Sequence, residues 1–265
     1  MKISVVTPSY NQGQYIEETI DSVLSQGITK LEYIIMDGGS TDNTVDIIKK
    51  YDKYISYWVS KPDGGQSNAI ASGFEKSTGD VLCWLNSDDA YMPGVLNKVV
   101  HQFKSDKNIH LLYGDYLQVY PDGRLVAKPK ISYDFNVCLN AFMMVPQPSS
   151  FWSRQIYNNV GGLNTKFQYC FDYDFFLRVG AFLAGQDDSI KHIHDIWSKF
   201  RIHDESKTVS GQKYFSSETK IIRRQFNFVF TPPFRQIIKS FYLAKALGMF
   251  LKERGFVPLS SGPKI

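Results

Sequence analysis

The sequence predicts an α/β fold, an open and mostly parallel sheet with helices on both faces, followed by a basic helical appendage. Three observations lead there. Over the first 115 residues short apolar runs alternate with segments of helical periodicity, the pattern of strands joined by crossover helices. Each of the first four apolar runs ends in small, acidic or turn-forming residues. A chain of 265 residues that is 43% hydrophobic and 21% charged can close one substantial core, which excludes disordered, collagen-like and disulfide-scaffold classes.

In order, residues 3–7 form an apolar run stopped by Pro8, as a buried strand would. Residues 15–26 place Ile16, Ile20, Val23 and Leu24 on one helical face, and Gly27 closes the helix. A second strand over 31–36 runs into Asp37-Gly38-Gly39-Ser40, and a helix carrying Val45, Ile47 and Ile48 follows, ending at Lys49-Lys50. Residues 57–60 form the third strand, before Pro62-Asp63-Gly64-Gly65. A helix over 67–76 and a fourth strand over 81–85 lead to Asn86-Ser87-Asp88-Asp89. In such sheets ligands bind beyond the carboxyl ends of the strands, where these four segments gather. Farther on, Pro121-Asp122-Gly123 turns a hairpin between 113–120 and 125–128, residues 137–145 are apolar, and 172–184 read as a helix. With no repeats or low-complexity linker, residues 1–212 are expected to be one domain and 213–265 its appendage.

The net charge of +4 divides unevenly. Residues 213–265 hold ten Lys and Arg against two acids, a balance of +8, which leaves −4 on the first 212 residues. Cys83, Cys138 and Cys170 lie far apart in apolar or aromatic surroundings and form no CxxC pair, the usage of a reduced, cytoplasmic protein. The opening residues are too short an apolar run for a signal peptide, and no run of eighteen uncharged apolar residues exists to span a membrane.

Four groups of residues could carry chemistry. Asp88 and Asp89 repel each other unless a cation lies beside them, and Mg²⁺ is usually held by one or two carboxylates with substrate phosphate oxygens. Their plainer role is to cap the turn at Pro93-Gly94-Val95. Asp37 could accept hydrogen bonds from a base or ribose beside glycines that let a ligand approach, or Ser40 or Asp42 could simply cap the next helix. Asp172, among aromatic neighbours, would have the raised proton affinity of a general base, or would cap its helix. Arg201, His203 and Lys207 could hold phosphate or form a solvated loop, while His192 and His194 alternate on a strand and read as structural. The absence of GxGxxG after the first strand and of GxxxxGK[ST] disfavours dinucleotide and P-loop sites.

Together Pro8-Ser9-Tyr10-Asn11, Asp37-Gly38-Gly39-Ser40-Thr41-Asp42, Trp84-Leu85-Asn86-Ser87-Asp88-Asp89 and Phe171-Asp172-Tyr173-Asp174 resemble family 2 glycosyltransferases of the GT-A fold, in the family's order over residues 1–210. The resemblance implies inverting transfer of a sugar from a nucleotide diphosphate donor, with a UDP-sugar expected, and a divalent cation, Mg²⁺ or Mn²⁺. It implies a nucleotide-sugar half over 1–115 and an acceptor half over 116–212. It places Pro8, Tyr10, Asn11, Asp37, Asp63, Gln66, Asn86 and Ser87 at the nucleotide, and Asp88 and His203 at the metal. It makes Asp172 the base and assigns Asp89, Gln147, Trp152, Arg201 and Lys207 to the acceptor or diphosphate. This chain departs from the family at two places: Asn86 stands at the first acid of its Asp-x-Asp motif, and Phe171 at the first of its acidic pair.

The tail interleaves Lys220, Arg223, Arg224, Arg235, Lys239, Lys245, Lys252 and Arg254 with aromatic residues. Residues 219–254 therefore suggest an interfacial helix on anionic lipid, at the inner face of the plasma membrane. The alternative is a helix packed on the body; nucleic acid is disfavoured because the body is acidic. Expected partners are the donor and a glycan or polyprenyl-diphosphate-linked acceptor of bacterial surface polysaccharide synthesis, and a homodimer is left open. The competing functions are a nucleotidyltransferase on a related sheet and an inactive nucleotide-sugar-binding scaffold.

Overall fold

The computed structural model describes residues 1–186 and 189–226, and residues 240 and 244 beyond them. The elements are β1 (Ile3–Ser9), α1 (Ile16–Leu24), β2 (Leu31–Asp37), α2 (Thr44–Lys50), β3 (Tyr57–Ser60), α3 (Gln66–Lys76), β4 (Val81–Trp84), β5 (Ala90–Tyr91) and α4 (Val95–Ser105). There follow β6 (Leu111–Val119), β7 (Leu125–Lys128), α5 (Phe135–Asn140), β8 (Ser150–Ser153), α6 (Arg154–Asn159), α7 (Phe171–Phe182), β9 (Ile190–Arg201), α8 (Lys207–Ser210) and α9 (Gln212–Gln225).

One sheet runs β3-β2-β1-β4-β8-β6-β9-β5, with β7 paired to β6. The first four strands are parallel, as is the β6–β9 pair. The β4–β8, β6–β8, β6–β7 and β5–β9 pairs are antiparallel, so the sheet is mixed, where mostly parallel was expected. The reason lies in the connections. After residue 111, β7 returns on β6 by a hairpin, and β8 runs opposite to both of its neighbours, β4 and β6, which an unbroken series of crossovers would not produce.

Side chains alternate across the sheet into two cores. Ile3, Val5, Tyr33, Ile35, Val81 and Cys83 face α1, α2 and α4. Val6, Ile34, Met36, Leu82 and Trp84 face α3 and α7, where Trp152 packs against a tilted Phe175 ring and meets Phe176 edge to face. Pro8 lies inside β1 rather than ending it. The carbonyl of Val6 accepts from Leu85 N at 3.0 Å, and β4 pairing goes no farther than that rung, so the donor missing at Pro8 is not needed.

The expected boundary at residue 212 is not where the described chain divides. Ile222 of α9 is fully buried in the same core as Phe171 and Tyr173. Arg223, expected to face lipid, is buried and donates to the Tyr173 hydroxyl (3.0 Å) and the Ala141 carbonyl (3.4 Å). Glu218 accepts from the backbone N–H groups of Gln168, Tyr169 and Cys170 at 2.8–2.9 Å, so a distant helix holds the segment that leads into α7. The two expected halves, 1–115 and 116–212, share β6, which runs through residues 115 and 116. Apart from residues 240 and 244, the tail from 227 onward, most of the expected lipid-facing stretch, lies outside the described residues.

Candidate active site

The order β3-β2-β1-β4 reverses direction at β1, and the crevice at a reversal of strand order is where doubly wound sheets bind ligands. Two chambers open there. The larger, about 650 Å³, is lined by Pro8, Ser9, Tyr10, Gly38, Asp63, Gln66, Ser87, Asp88, His203 and Lys207, among others. The smaller, about 360 Å³, lies between the ends of β4, β6 and β9, and is walled by Tyr116, Tyr169, Phe171, Asp172, Phe200 and Phe215. Gln66, Asn86, Asp88, Ser206 and Lys207 line both, so the chambers meet at those side chains.

The floor of the larger chamber is backbone. A Cβ on Gly38 would lie 3.1 Å from an Asp63 carboxylate oxygen, and Gly39, Gly64 and Gly65 all take positive φ. Asp63 Oδ1 accepts from Gly65 N at 2.7 Å and so sets that turn. Tyr10 stands 60% exposed at the rim, a flat ring offered to a ligand.

Asp37 and Asn11, expected at the nucleotide, do not line the chamber but brace it from behind. Asp37 is buried, its Oδ2 accepts from Gly39 N, Ser40 N and Ser60 Oγ, and its Oδ1 accepts from Ser40 Oγ, so the carboxylate pins the turn after β2. Asn11, at φ 51°, accepts from Thr41 N at 2.8 Å and donates its own N–H to Ser40 Oγ at 2.8 Å.

Asn86 is the hub of the junction. Its Oδ1 accepts from Gln66 Nε2 (2.8 Å), and its Nδ2 donates to Gln147 Oε1 (3.1 Å) and Asp89 Oδ2 (3.3 Å). Gln147 in turn donates to the Trp84 carbonyl at 2.7 Å. An amide here, in place of a carboxylate, can bond acceptor and donor neighbours at once.

Asp88 and Asp89 part company. Asp88 faces both chambers, its Oδ2 3.0 Å from His203 Nε2. Arg201 Nε donates to the Asp88 carbonyl (3.1 Å), and the Tyr15 ring lies 4.8 Å from the His203 ring. Asp89, expected at the acceptor or diphosphate, points inward. It is buried, accepts from Arg201 N at 3.1 Å, and has its proton affinity raised by burial and then by Asp88. Neither carboxylate caps α4, whose N-cap is Gly94.

The late basic residues are not a solvated loop. His203 is buried, and Lys207 donates to the Gln168 carbonyl at 2.8 Å with its ammonium 5.2 Å from the Tyr169 ring centre. Burial lowers the Lys207 pKa, while Glu218, Asp172 and Asp63 oppose the shift. Arg201 lines the smaller chamber, but its guanidinium is held by Glu18.

Asp172 lies in the first turn of α7, partly exposed at the wall of the smaller chamber and otherwise enclosed by protein. Burial pushes its carboxyl up to about 6, against a bond from Tyr173 N and the charge of Lys207, which lower it. Trp152, expected near the acceptor, is instead fully buried beneath the cleft, with its ring centre 5.2 Å from that of Trp84. β8 alternation turns it into the core. Sequence reasoning did not place Tyr116, Lys130, Tyr169, Phe200 and Phe215, which line the smaller chamber. The nearness of Phe200 to Arg201 and of Tyr169 to Asp172 was the available signal; Lys130 and Phe215 had none.

Comparison with known proteins agrees with this geometry. A model described as Glycosyl transferase family 2 matches residues 4–157. Chondroitin synthase of Pasteurella multocida (strain Pm70) is 28% identical over 211 residues, which are 79% of this chain and 21% of that protein. This chain therefore spans about a fifth of the length of that relative. S. aureus TarS 1-349 in complex with UDP-GlcNAc superposes with a TM-score of 0.65 at 18% identity, covering 95% of this chain and 73% of that one. The mannosyltransferase PcManGT from Pyrobaculum calidifontis, in complex with GDP-Man and Mn2+, gives 0.61 at 15%, covering 97% and 76%. These likenesses show that the fold is of the GT-A type.

Proposed function

The chain belongs to glycosyl transferase family 2, and from that premise we propose that it moves a sugar from a nucleotide diphosphate donor to an acceptor hydroxyl with inversion. The observation that carries the proposal is the pair of chambers meeting at Asp88, Asn86 and Lys207, with Asp172 on the wall of the smaller one. The donor occupies the larger chamber. Its anomeric carbon lies toward the junction, and the acceptor enters the aromatic chamber.

Asp172 takes the proton from the acceptor hydroxyl as that oxygen bonds to the anomeric carbon and the bond to the diphosphate breaks on the opposite face. A carboxyl raised to about 6 is ionised at neutral pH and still basic enough to hold the proton it receives. Lys207, lining both chambers, meets the charge of the departing diphosphate.

A divalent cation fits beside it. Asp88 offers a carboxylate and His203 an imidazole, their nearest atoms are 3.0 Å apart, and Asp88 is open to the larger chamber. An imidazole in the set favours Mn²⁺ over the harder Mg²⁺. Bound there, the cation would neutralise diphosphate charge.

UDP-sugars are the donors proposed, in keeping with the UDP-GlcNAc complex of TarS. The test is a panel of nucleotide sugars read by thermal stabilisation with Mn²⁺ and with EDTA. One base and sugar should raise Tm by several degrees with Mn²⁺ and much less with EDTA, whereas no response to any donor would overturn the proposal.

The acceptor is proposed to be a growing glycan or a polyprenyl-diphosphate-linked sugar of bacterial surface polysaccharide, reached at the cytoplasmic face of the membrane. Support comes from the resemblance, from the aromatic chamber, and from the +8 balance of residues 213–265. No helix among the described residues is long and apolar enough to cross a membrane. Cutting the chain after Phe230 should abolish sedimentation with anionic vesicles, as should raised salt on the full chain; sedimentation that survives truncation would exclude lipid contact through the tail.

A further inference from the structure

Away from the cleft, β6 and β9 carry an irregularity with chemical content. Their register steps from Gly114↔Ile193 to Asp115↔Ile196, so the chain bulges at His194 and Asp195. Such bulges re-aim side chains, and this one brings His194 beside His192, with ring centres 4.2 Å apart. Beside them on β6 lies Asp115, completely buried. Its Oδ1 accepts from Lys130 N at 2.7 Å and faces His192 Nε2 at 2.9 Å. Its Oδ2 is 4.0 Å from His194 Nδ1 and, though buried, has no hydrogen-bond partner. His192 is held flat by the stacked Tyr113 ring, 4.8 Å away at 15°, and its Nδ1 is likewise buried without a partner.

An orphaned oxygen on a fully buried carboxylate is costly unless a cation shares the site. One ligand atom from each of Asp115, His192 and His194 lies within 4.8 Å of the other two. Ligands at about 2.0–2.1 Å from a tetrahedral Zn²⁺ stand roughly 3.3 Å apart, inside the observed 2.9–4.8 Å range of separations. Two imidazoles and a carboxylate select a borderline transition metal rather than Mg²⁺ or Ca²⁺. The side chain of His194 is 15% exposed and gives the way in, while Asp115 and His192 are sealed.

We propose that Asp115, His192 and His194 form a Zn²⁺-class metal site that rivets β6 to β9, independent of the donor cation at Asp88. The site would fix the register of β9, whose far end delivers Arg201 and leads to His203.

The experiment loads the full chain with Zn²⁺, removes unbound metal by gel filtration, and counts zinc by atomic emission. About one equivalent per chain is expected in the parent and in Asp88→Ala, and little in His194→Ala or His194→Gln. Circular dichroism checks that these variants fold. Co²⁺ loading should give the visible absorption of tetrahedral cobalt in the parent and lose it in both His194 variants. Zinc content unchanged in the His194 variants, zinc lost in Asp88→Ala, or no retained zinc in the parent would each overturn the proposal.

Discussion

Replacing Asp172 by Asn should lower kcat for sugar transfer by roughly 10³-fold while leaving donor affinity nearly unchanged. The amide keeps the shape of the chamber wall and cannot take a proton, so single-turnover transfer and donor binding should separate. A variant that still turned over at the parent rate would remove Asp172 from the chemistry. In the parent, kcat/KM should fall about tenfold per pH unit below pH 6, because the carboxyl is then protonated. The same shift has a stability consequence of opposite sense. The folded carboxyl sits above its ordinary value of 3.8, so the folded state binds the proton more tightly than the unfolded chain does. That stability is complete below pH 3.8 and is lost as the pH rises through about 6. Asp172→Asn should accordingly melt higher than the parent at pH 7.5 and alike at pH 4, so a lower Tm at pH 7.5 would contradict the assignment.

Asp88→Ala should weaken Mn²⁺-dependent binding of a nucleoside diphosphate by about 100-fold or more, as measured by calorimetry with and without EDTA. The carboxylate faces both chambers and contacts His203. His203→Ala should weaken binding less, since it leaves the charge of Asp88 in place. Unaltered affinity in Asp88→Ala would place the diphosphate elsewhere.

Much of this site was legible because local rules produce it. The strand and helix periods locate β1 to β4, and the turn residues after each strand necessarily gather at one edge of a parallel sheet. What escaped depends on long-range pairing. The bond of Asn86 to Gln147 joins residues 61 apart, and no local pattern announces it. Asp88 and Asp89 are adjacent and chemically alike, yet one faces the cleft and the other is enclosed by β9, a strand more than a hundred residues later. Trp152 lies in a motif that reads as acceptor-facing, but the face of a strand follows from its register, which only β4 and β6 supply. A charge count likewise cannot tell Arg223, buried against Tyr173, from its exposed neighbour Arg224.

The carboxylate of Glu218 holds the three residues that lead into α7 from 48 to 50 residues downstream. During synthesis on the ribosome, the approach to the helix that presents Asp172 therefore stays unheld until α9 has emerged. By then every residue that lines the two chambers has already left the exit tunnel. The segment leading to Asp172 is thus the last part of the cleft to receive its anchoring carboxylate.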